Sequence, residues 1–144
     1  MFAARQNPGL STHRIVRCRS SNLAKEVAVS LQLRIARVDG LDVLVPVGEV
    51  DISTAPVLSR ALDEALDRCG ARVLVDLSGV EYMEAVGFNA LIRARKRAVS
   101  VGGTVALVSP NSRMARLIGV LALDKVFPIY PTTSAAVEQV RGRG

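Results

Sequence analysis

The side chains that could do chemistry are few and poorly placed for catalysis. The only histidine, His13, lies in the amino-terminal thirty residues, so the body of the chain has no imidazole to serve as a general base. Cys18 and Cys69 are far apart, with no Cys-x-x-Cys pair and no metal-ligand spacing. They read as free thiols of a reducing compartment, Cys18 in a tail and Cys69 packed as a small hydrophobe on a helix. Asp76 stands near the carboxyl end of an apolar run, where α/β proteins often place their sites. On its own it reads as the polar residue that fixes the next turn. Gly102-Gly103 is a helix stop, and no glycine-rich phosphate loop is present. Together these residues argue against an enzyme and call for no cofactor and no metal.

The framework is easier to read. Of 144 residues 49% are hydrophobic, only 3% are aromatic and Trp is absent, so the core must be built from Val, Leu, Ala and Ile. That suits parallel strands covered by helices. Residues 31–38 alternate as a half-buried strand, Asp39-Gly40 is a two-residue hairpin turn, and Leu41–Val47 returns. Pro46 should sit near a strand end or bulge. Ser53 or Thr54 can cap the next helix, whose stripe is Leu58, Ala61, Leu62, Ala65, Leu66 and Cys69, with Gly70 ending it. A buried strand over Val73–Leu77 follows, then a loop and a helix over about Ala85–Ser100. Thr104–Val108 is the next strand. Ser109-Pro110 opens a third helix, with Met114, Leu117 and Ile118 inward and Gly119 at its end. Val126–Tyr130 is an edge strand, and Thr132 or Thr133 caps a last helix to about Val140. The order is ββαβαβαβα, an α/β fold with a mixed, mostly parallel sheet and flanking helices.

Charge and length limit the possible partners. Residues 1–30 carry five basic residues and one acid, and residues 31–144 carry 14 basic and 12 acidic. Most of the +6 net charge is therefore a property of the first thirty residues, and a nucleic-acid surface on the domain is not expected. No apolar run approaches the roughly 18–20 residues that cross a bilayer, so no membrane insertion is expected. The chain divides into a flexible basic leader over 1–30, one domain over 31–140, and a frayed end at 141–144.

Four stretches in order carry a family resemblance. They are Gly48-Glu-Val-Asp51, Val75-Asp-Leu-Ser-Gly-Val80 with the loop to Leu91, Gly102-Gly-Thr-Val-Ala-Leu-Val108, and Leu123-Asp-Lys-Val-Phe-Pro-Ile-Tyr-Pro131. The chain resembles the bacterial STAS-domain anti-sigma factor antagonists over about residues 31–140, which implies the STAS (SpoIIAA-like) fold. The resemblance implies a cytoplasmic regulator of transcription that works by partner switching: it binds an anti-sigma factor, often an ATP-binding serine kinase, and so frees a sigma factor. In that family the loop before the second helix reads Asp-Ser-Ser/Thr-Gly-Leu, and the second hydroxyl takes a phosphate. Here the matching residues are Glu84, Ala85, Val86, Gly87 and Phe88, so both hydroxyls are missing and Val86 occupies the acceptor position. The nearest remaining hydroxyls are Ser78 and Tyr82.

The resemblance implies a partner-binding surface at Asp51, Ser53, Thr54, Glu84, Ala85, Val86 and Gly87. Asp51 has a second reading, as the acid that orders the loop before its helix. A subunit of a transporter-associated or stress-sensing complex that does not switch is the alternative function. Arg95 falls on the apolar stripe of its helix, either reaching solvent at the edge or meeting an acid, while Arg93, Lys96 and Arg97 read as a solvated face.

Overall fold

The structure, a computed structural model, describes residues 10–17, 31–68 and 71–142. Seven strands form one sheet: β1 (Leu10–Arg17), β2 (Leu31–Val38), β3 (Leu41–Val50), β4 (Arg72–Asp76), β5 (Val80–Met83), β6 (Thr104–Val108) and β7 (Ile129–Tyr130). Among the described residues four α-helices accompany them: α1 (Ala55–Arg68), α2 (Ala85–Ser100), α3 (Ser112–Val120) and α4 (Thr133–Gly142). The strand order is β1-β2-β3-β4-β6-β7, with β5 also beside β3. β1, β2 and β3 are antiparallel neighbours, and every other pair is parallel. The expected fold class is what the chain adopts.

Each crossover from β3 onward steps the sheet in the same direction, so crossovers of one hand bring α1, α2 and α3 to the same face. There Leu33, Leu44, Val75 and Leu107 pack under Leu58, Leu62, Leu91 and Met114. On the other face, among the described residues, α4 covers Leu74, Ala106 and Val108 with Ala136, Val137 and Val140. Strands β4 and β6 are thus buried on both sides, which explains their unbroken Val, Leu and Ala.

The β2–β3 turn is as read: Asp39 and Gly40 both take positive φ, 53° and 82°, and Val38 pairs with Leu41. Pro46 lies two residues before the register shift between Gly48 and Glu49 in the β3–β5 pairing, near an irregularity as expected. It pairs with Leu33 in mid-strand, where the neighbours of β3 change. Residues Asp42–Leu44 pair with β4 and Gly48–Val50 pair with β5. The Gly48 N–H, two residues on, points to the Gly79 carbonyl. By alternation Pro46 faces the gap between the two partners, where no N–H is needed.

Three differences have local causes. Leu10–Arg17, expected to lie in a leader without regular structure, forms β1 against β2. An edge strand can be held by backbone hydrogen bonds alone, without an apolar period to betray it. β5 lies where a loop was read, because four residues with Glu81 and Tyr82 both exposed show no alternation. The strand expected over Val126–Tyr130 shrinks to Ile129–Tyr130, since a 3₁₀ turn occupies Leu123–Lys125. Cys18, Cys69 and Gly70 lie outside the described residues.

Gly119 does not end α3 as a left-handed cap. Ala122 takes that role, with φ 58° and ψ 29°. A Cβ at Gly119 would meet nothing within 4 Å. Ala122→Gly should therefore stabilise the domain by about 0.5–1 kcal/mol, relief of a left-handed alanine less the freedom glycine gains unfolded. Gly119→Ala should add a similar amount, about 0.5–1 kcal/mol. Urea unfolding of the double variant checks both; a lower midpoint than that of the starting protein refutes them.

Candidate functional site

Two loops meet at the carboxyl ends of β3 and β5. One runs from Asp51 to Thr54 into α1, the other from Glu84 into α2. The Glu84 N–H donates to the Val50 carbonyl at 2.9 Å, which clamps the second loop to the residue before Asp51. All seven residues expected to form a partner surface therefore lie at one end of the sheet.

The first loop is built around a carboxylate. Asp51 Oδ1 accepts from the Ser53 hydroxyl at 2.7 Å, the Ser53 N–H at 3.0 Å and the Thr54 N–H at 3.1 Å. The Thr54 hydroxyl donates to the Glu49 carbonyl at 3.0 Å and accepts from the Asp51 N–H at 2.8 Å. Thr54 is buried and knits the loop together, so its hydroxyl is not spent on capping α1. These bonds bear out the reading of Asp51 as the acid that orders the loop. Ser53 is exposed, and the intervening Ile52 is 78% exposed. The turn bends so tightly around Asp51 that an isoleucine is held out in solvent.

The bond from the Ser53 hydroxyl, with those from the two N–H groups and the Thr54 hydroxyl, holds the Asp51 carboxyl below its ordinary pKa, against the opposing effect of burial. A carboxyl depressed in the folded state adds stability above its unfolded pKa of about 3.9, and that stability is lost as pH falls through the lower folded value. Asp51→Asn should remove this acid step. Melting temperatures of the two proteins from about pH 5 to pH 2 should converge as the wild type loses its carboxylate; a constant difference refutes the assignment.

The second loop is packed more than hydrogen-bonded. Glu84 is exposed at the N-cap of α2 and makes no side-chain cap bond, as its extra methylene leads one to expect. Ala85 is exposed, and Val86 is half-buried against the core. Gly87 is buried, and a Cβ there would lie 2.6 Å from both Met83 Cγ and Val50 Cγ1. The first turn of α2 thus rests directly on the ends of β3 and β5. Neither of the nearest remaining hydroxyls stands here. Ser78 is in the β4–β5 turn, its N–H held by Asp76 Oδ1 at 2.9 Å, and Tyr82 pairs across from Glu49 on the strand below. The bond at Ser78 gives Asp76 its expected turn-fixing role.

Two parts of the site went unread. Ile52 has a sequence signal, a lone large apolar residue inside a polar turn. Asn111 has none. Its Nδ2 reaches the carbonyls of Val80 at 2.8 Å, Ser78 at 3.2 Å and Leu77 at 3.4 Å, while its Oδ1 caps Met114. It staples the β4–β5 turn to the start of α3 and so steadies the strand that leads into Glu84. Of the basic residues on α2, Arg97 bridges to Asp63 and Asp67 on α1, so it is a helix clasp as well as a solvated residue. Arg95 is half-buried, and its Nε has no hydrogen-bond partner among the described residues. Also among the described residues, no cluster of His, Cys, Asp and Glu could hold a metal, and no helix is long and apolar enough to cross a membrane.

The loops, their clamp and the buried glycine invite comparison with known proteins. A model of the STAS domain matches residues 32–136. The TM1081 homologue of Thermotoga neapolitana is 36% identical over 107 residues, 74% of this chain and 95% of that protein. Anti-sigma-F factor antagonist RsfB of Mycobacterium tuberculosis is 30% identical over 78% of this chain and 92% of its own. The crystal structure of an anti-sigma factor antagonist from Mycobacterium paratuberculosis matches with a TM-score of 0.71 at 31% identity, covering 78% of this chain and 95% of that one. From residue 32 in β2 to residue 136 in α4, the chain belongs to the STAS domain family, beside anti-sigma factor antagonists.

Proposed function

We propose that this chain is an anti-sigma factor antagonist whose docking surface is Asp51, Ile52, Ser53, Glu84, Ala85 and Val86, supported from beneath by the buried Thr54 and Gly87 rather than contacting the partner through them. By occupying an anti-sigma factor of the ATP-binding serine-kinase type it frees a sigma factor, in the cytoplasm. No phosphate on residues 84–88 ends the contact, because Ala85 and Val86 have no hydroxyl to accept one. The observation that carries this reading is the clamp from Glu84 to Val50 with Gly87 packed beneath it. The scaffold that presents a docking loop is intact although the acceptor hydroxyls are gone. A methyl and an isopropyl group in their place, beside exposed Ile52, make the surface more apolar, and two flanking carboxylates give it a negative rim.

Apolar anchors at the centre of an interface dominate its affinity. Ile52→Asp should therefore weaken binding by about 2 kcal/mol or more, roughly thirtyfold or greater. Calorimetric titration against each anti-sigma factor encoded in the same genome measures this. Absence of binding by the unmodified chain to all of them refutes the reading.

A further inference from the structure

The domain's small net charge hides a sharp division. Residues 31–84 carry five basic residues and ten acids, whereas Ala85 to Leu123 carries six basic residues and no acid. That second stretch holds α2, β6 and α3, and both helices pack on the same face of the sheet. Within it Arg97 is spent on Asp63 and Asp67, and Arg113 donates to the Glu81 carbonyl at 2.9 Å. Arg93, Lys96 and Arg116 are exposed and make no ion pair among the described residues, and Arg95 has the unpartnered Nε. The same stretch holds most of the large apolar side chains left in solvent among the described residues. Val101 and Val120 are 69% and 75% exposed, and Val99 and Leu121 are half-exposed. Both helices start at the carboxyl end of the sheet and run toward its amino end. These four side chains therefore come out at the end of the domain opposite Ile52 and Glu84. Along α2, Val99 is thirteen residues from Val86, about 20 Å.

We infer that the far ends of α2 and α3 form a peripheral contact with an anionic lipid bilayer. The unspent cations take its headgroups, and the four aliphatic side chains enter its interfacial layer. An anionic leaflet attracts basic side chains, and apolar side chains at the same surface gain by leaving water. A nucleic acid would meet the charge but leave the aliphatics in water. The one aromatic of the stretch, Phe88, is buried and offers bases no stacking platform. A partner helix would need a stripe to dock on. Val99 and Val101 are two residues apart and Val120 and Leu121 are adjacent, spacings that do not face one way on a helix. Lipid accepts aliphatic groups in any arrangement. Asp124, the next acid in the chain, is followed at once by Lys125, which offsets it. The docking loops, at the opposite end, would face away from the bilayer, so the inference does not rest on the docking reading.

Vesicle sedimentation of the full chain tests this without any anti-sigma factor. One set of vesicles is phosphatidylcholine alone, and in the other about a third of the lipid is phosphatidylglycerol. The partition coefficient should be about tenfold or more higher on the anionic vesicles. Equal partition, or none, overturns the inference. Lys96→Glu with Arg116→Glu should lower partition to the anionic vesicles about tenfold or more. Binding kept by this variant would belong to the basic residues of 1–30 and overturns the assignment to α2 and α3. Val101→Ser with Val120→Ser, which leaves the charge alone, should lower it about fivefold or more. No loss there would mean attraction by charge without burial, and overturns the bilayer contact. All four side chains are exposed, so melting temperatures should not move. A readout that needs no variant is amide exchange of the unmodified chain. Anionic vesicles should slow it at residues 99–102 and 119–122, and slowing confined to other segments overturns the inference. Binding to duplex DNA that is lost in Lys96→Glu with Arg116→Glu, with no binding to vesicles, would identify a nucleic acid as the partner instead.

Discussion

A single methyl group at Gly103 is expected to cost about 3 kcal/mol or more of stability, the upper end for adding one carbon to a packed interior. Gly103 precedes β6 and crosses directly over Ala71, which precedes β4. A Cβ there would stand 2.0 Å from the Ala71 carbonyl oxygen and 2.6 Å from its carbonyl carbon. Those are backbone atoms in a buried residue, so no rotamer change relieves the clash. The same oxygen accepts the Thr104 N–H at 2.8 Å, the first bond joining β6 to the region of β4. Ala71 is itself held at φ 63° and cannot yield easily. Room for the methyl group comes only by parting β4 from β6 at their amino ends, where Arg72 pairs with Thr104. The melting temperature of Gly103→Ala should drop by about 10 °C or more. A drop of less than a degree or two would mean the two segments do not cross this closely.

How far such contacts could be read in advance depends on their range. Period and turn chemistry are local, so β2, the Asp39-Gly40 turn, the apolar stripe of α1 and the runs of β4 and β6 were legible. β1 and β5 were not, because one is held by pairing to an edge and the other is too short to show a period. The staple made by Asn111 was invisible because its three carbonyl partners lie more than thirty residues earlier in the chain. Asp42 is a similar case. It stands in the apolar run of β3 and is wholly buried beneath Arg37 and Arg68, the latter at 2.5 Å and from a helix more than twenty residues on. In the site itself, the gathering of Asp51 to Thr54 with Glu84 to Gly87 came from family resemblance. The sequence alone had no way to say that the Val50 carbonyl joins the two loops, or that Ile52 is the residue left outside.

Gly87→Ala is expected to act on the fold and on the docking surface together. Its Cβ would meet Val50 Cγ1 and Met83 Cγ at 2.6 Å each. Met83 can bend away, but the valine is branched and wholly buried, so part of the strain must go into the backbone. The cost should be about 1–3 kcal/mol. The cheapest relief is to lift the first turn of α2 away from the end of β3. That stretches the Glu84 N–H to Val50 carbonyl bond and displaces Ala85 and Val86 relative to Ile52. Affinity for the anti-sigma factor should then fall at least tenfold, about 1.4 kcal/mol. Unfolding cannot account for such a loss. A domain with roughly 5–15 kcal/mol of stability that gives up 1–3 remains more than about 95% folded at room temperature. Val86→Ser makes the contrast, since it restores a hydroxyl to a half-buried side chain without touching the Gly87 contact. It should keep the clamp and lose only the modest stability of the removed methyl groups, about 1 kcal/mol. Chemical-shift mapping of the two variants separates them. Shifts at Val50, Met83 and Ile52 are expected in Gly87→Ala and absent at Ile52 in Val86→Ser. Equal binding by Gly87→Ala and the starting protein would mean that the start of α2 lies outside the docking surface.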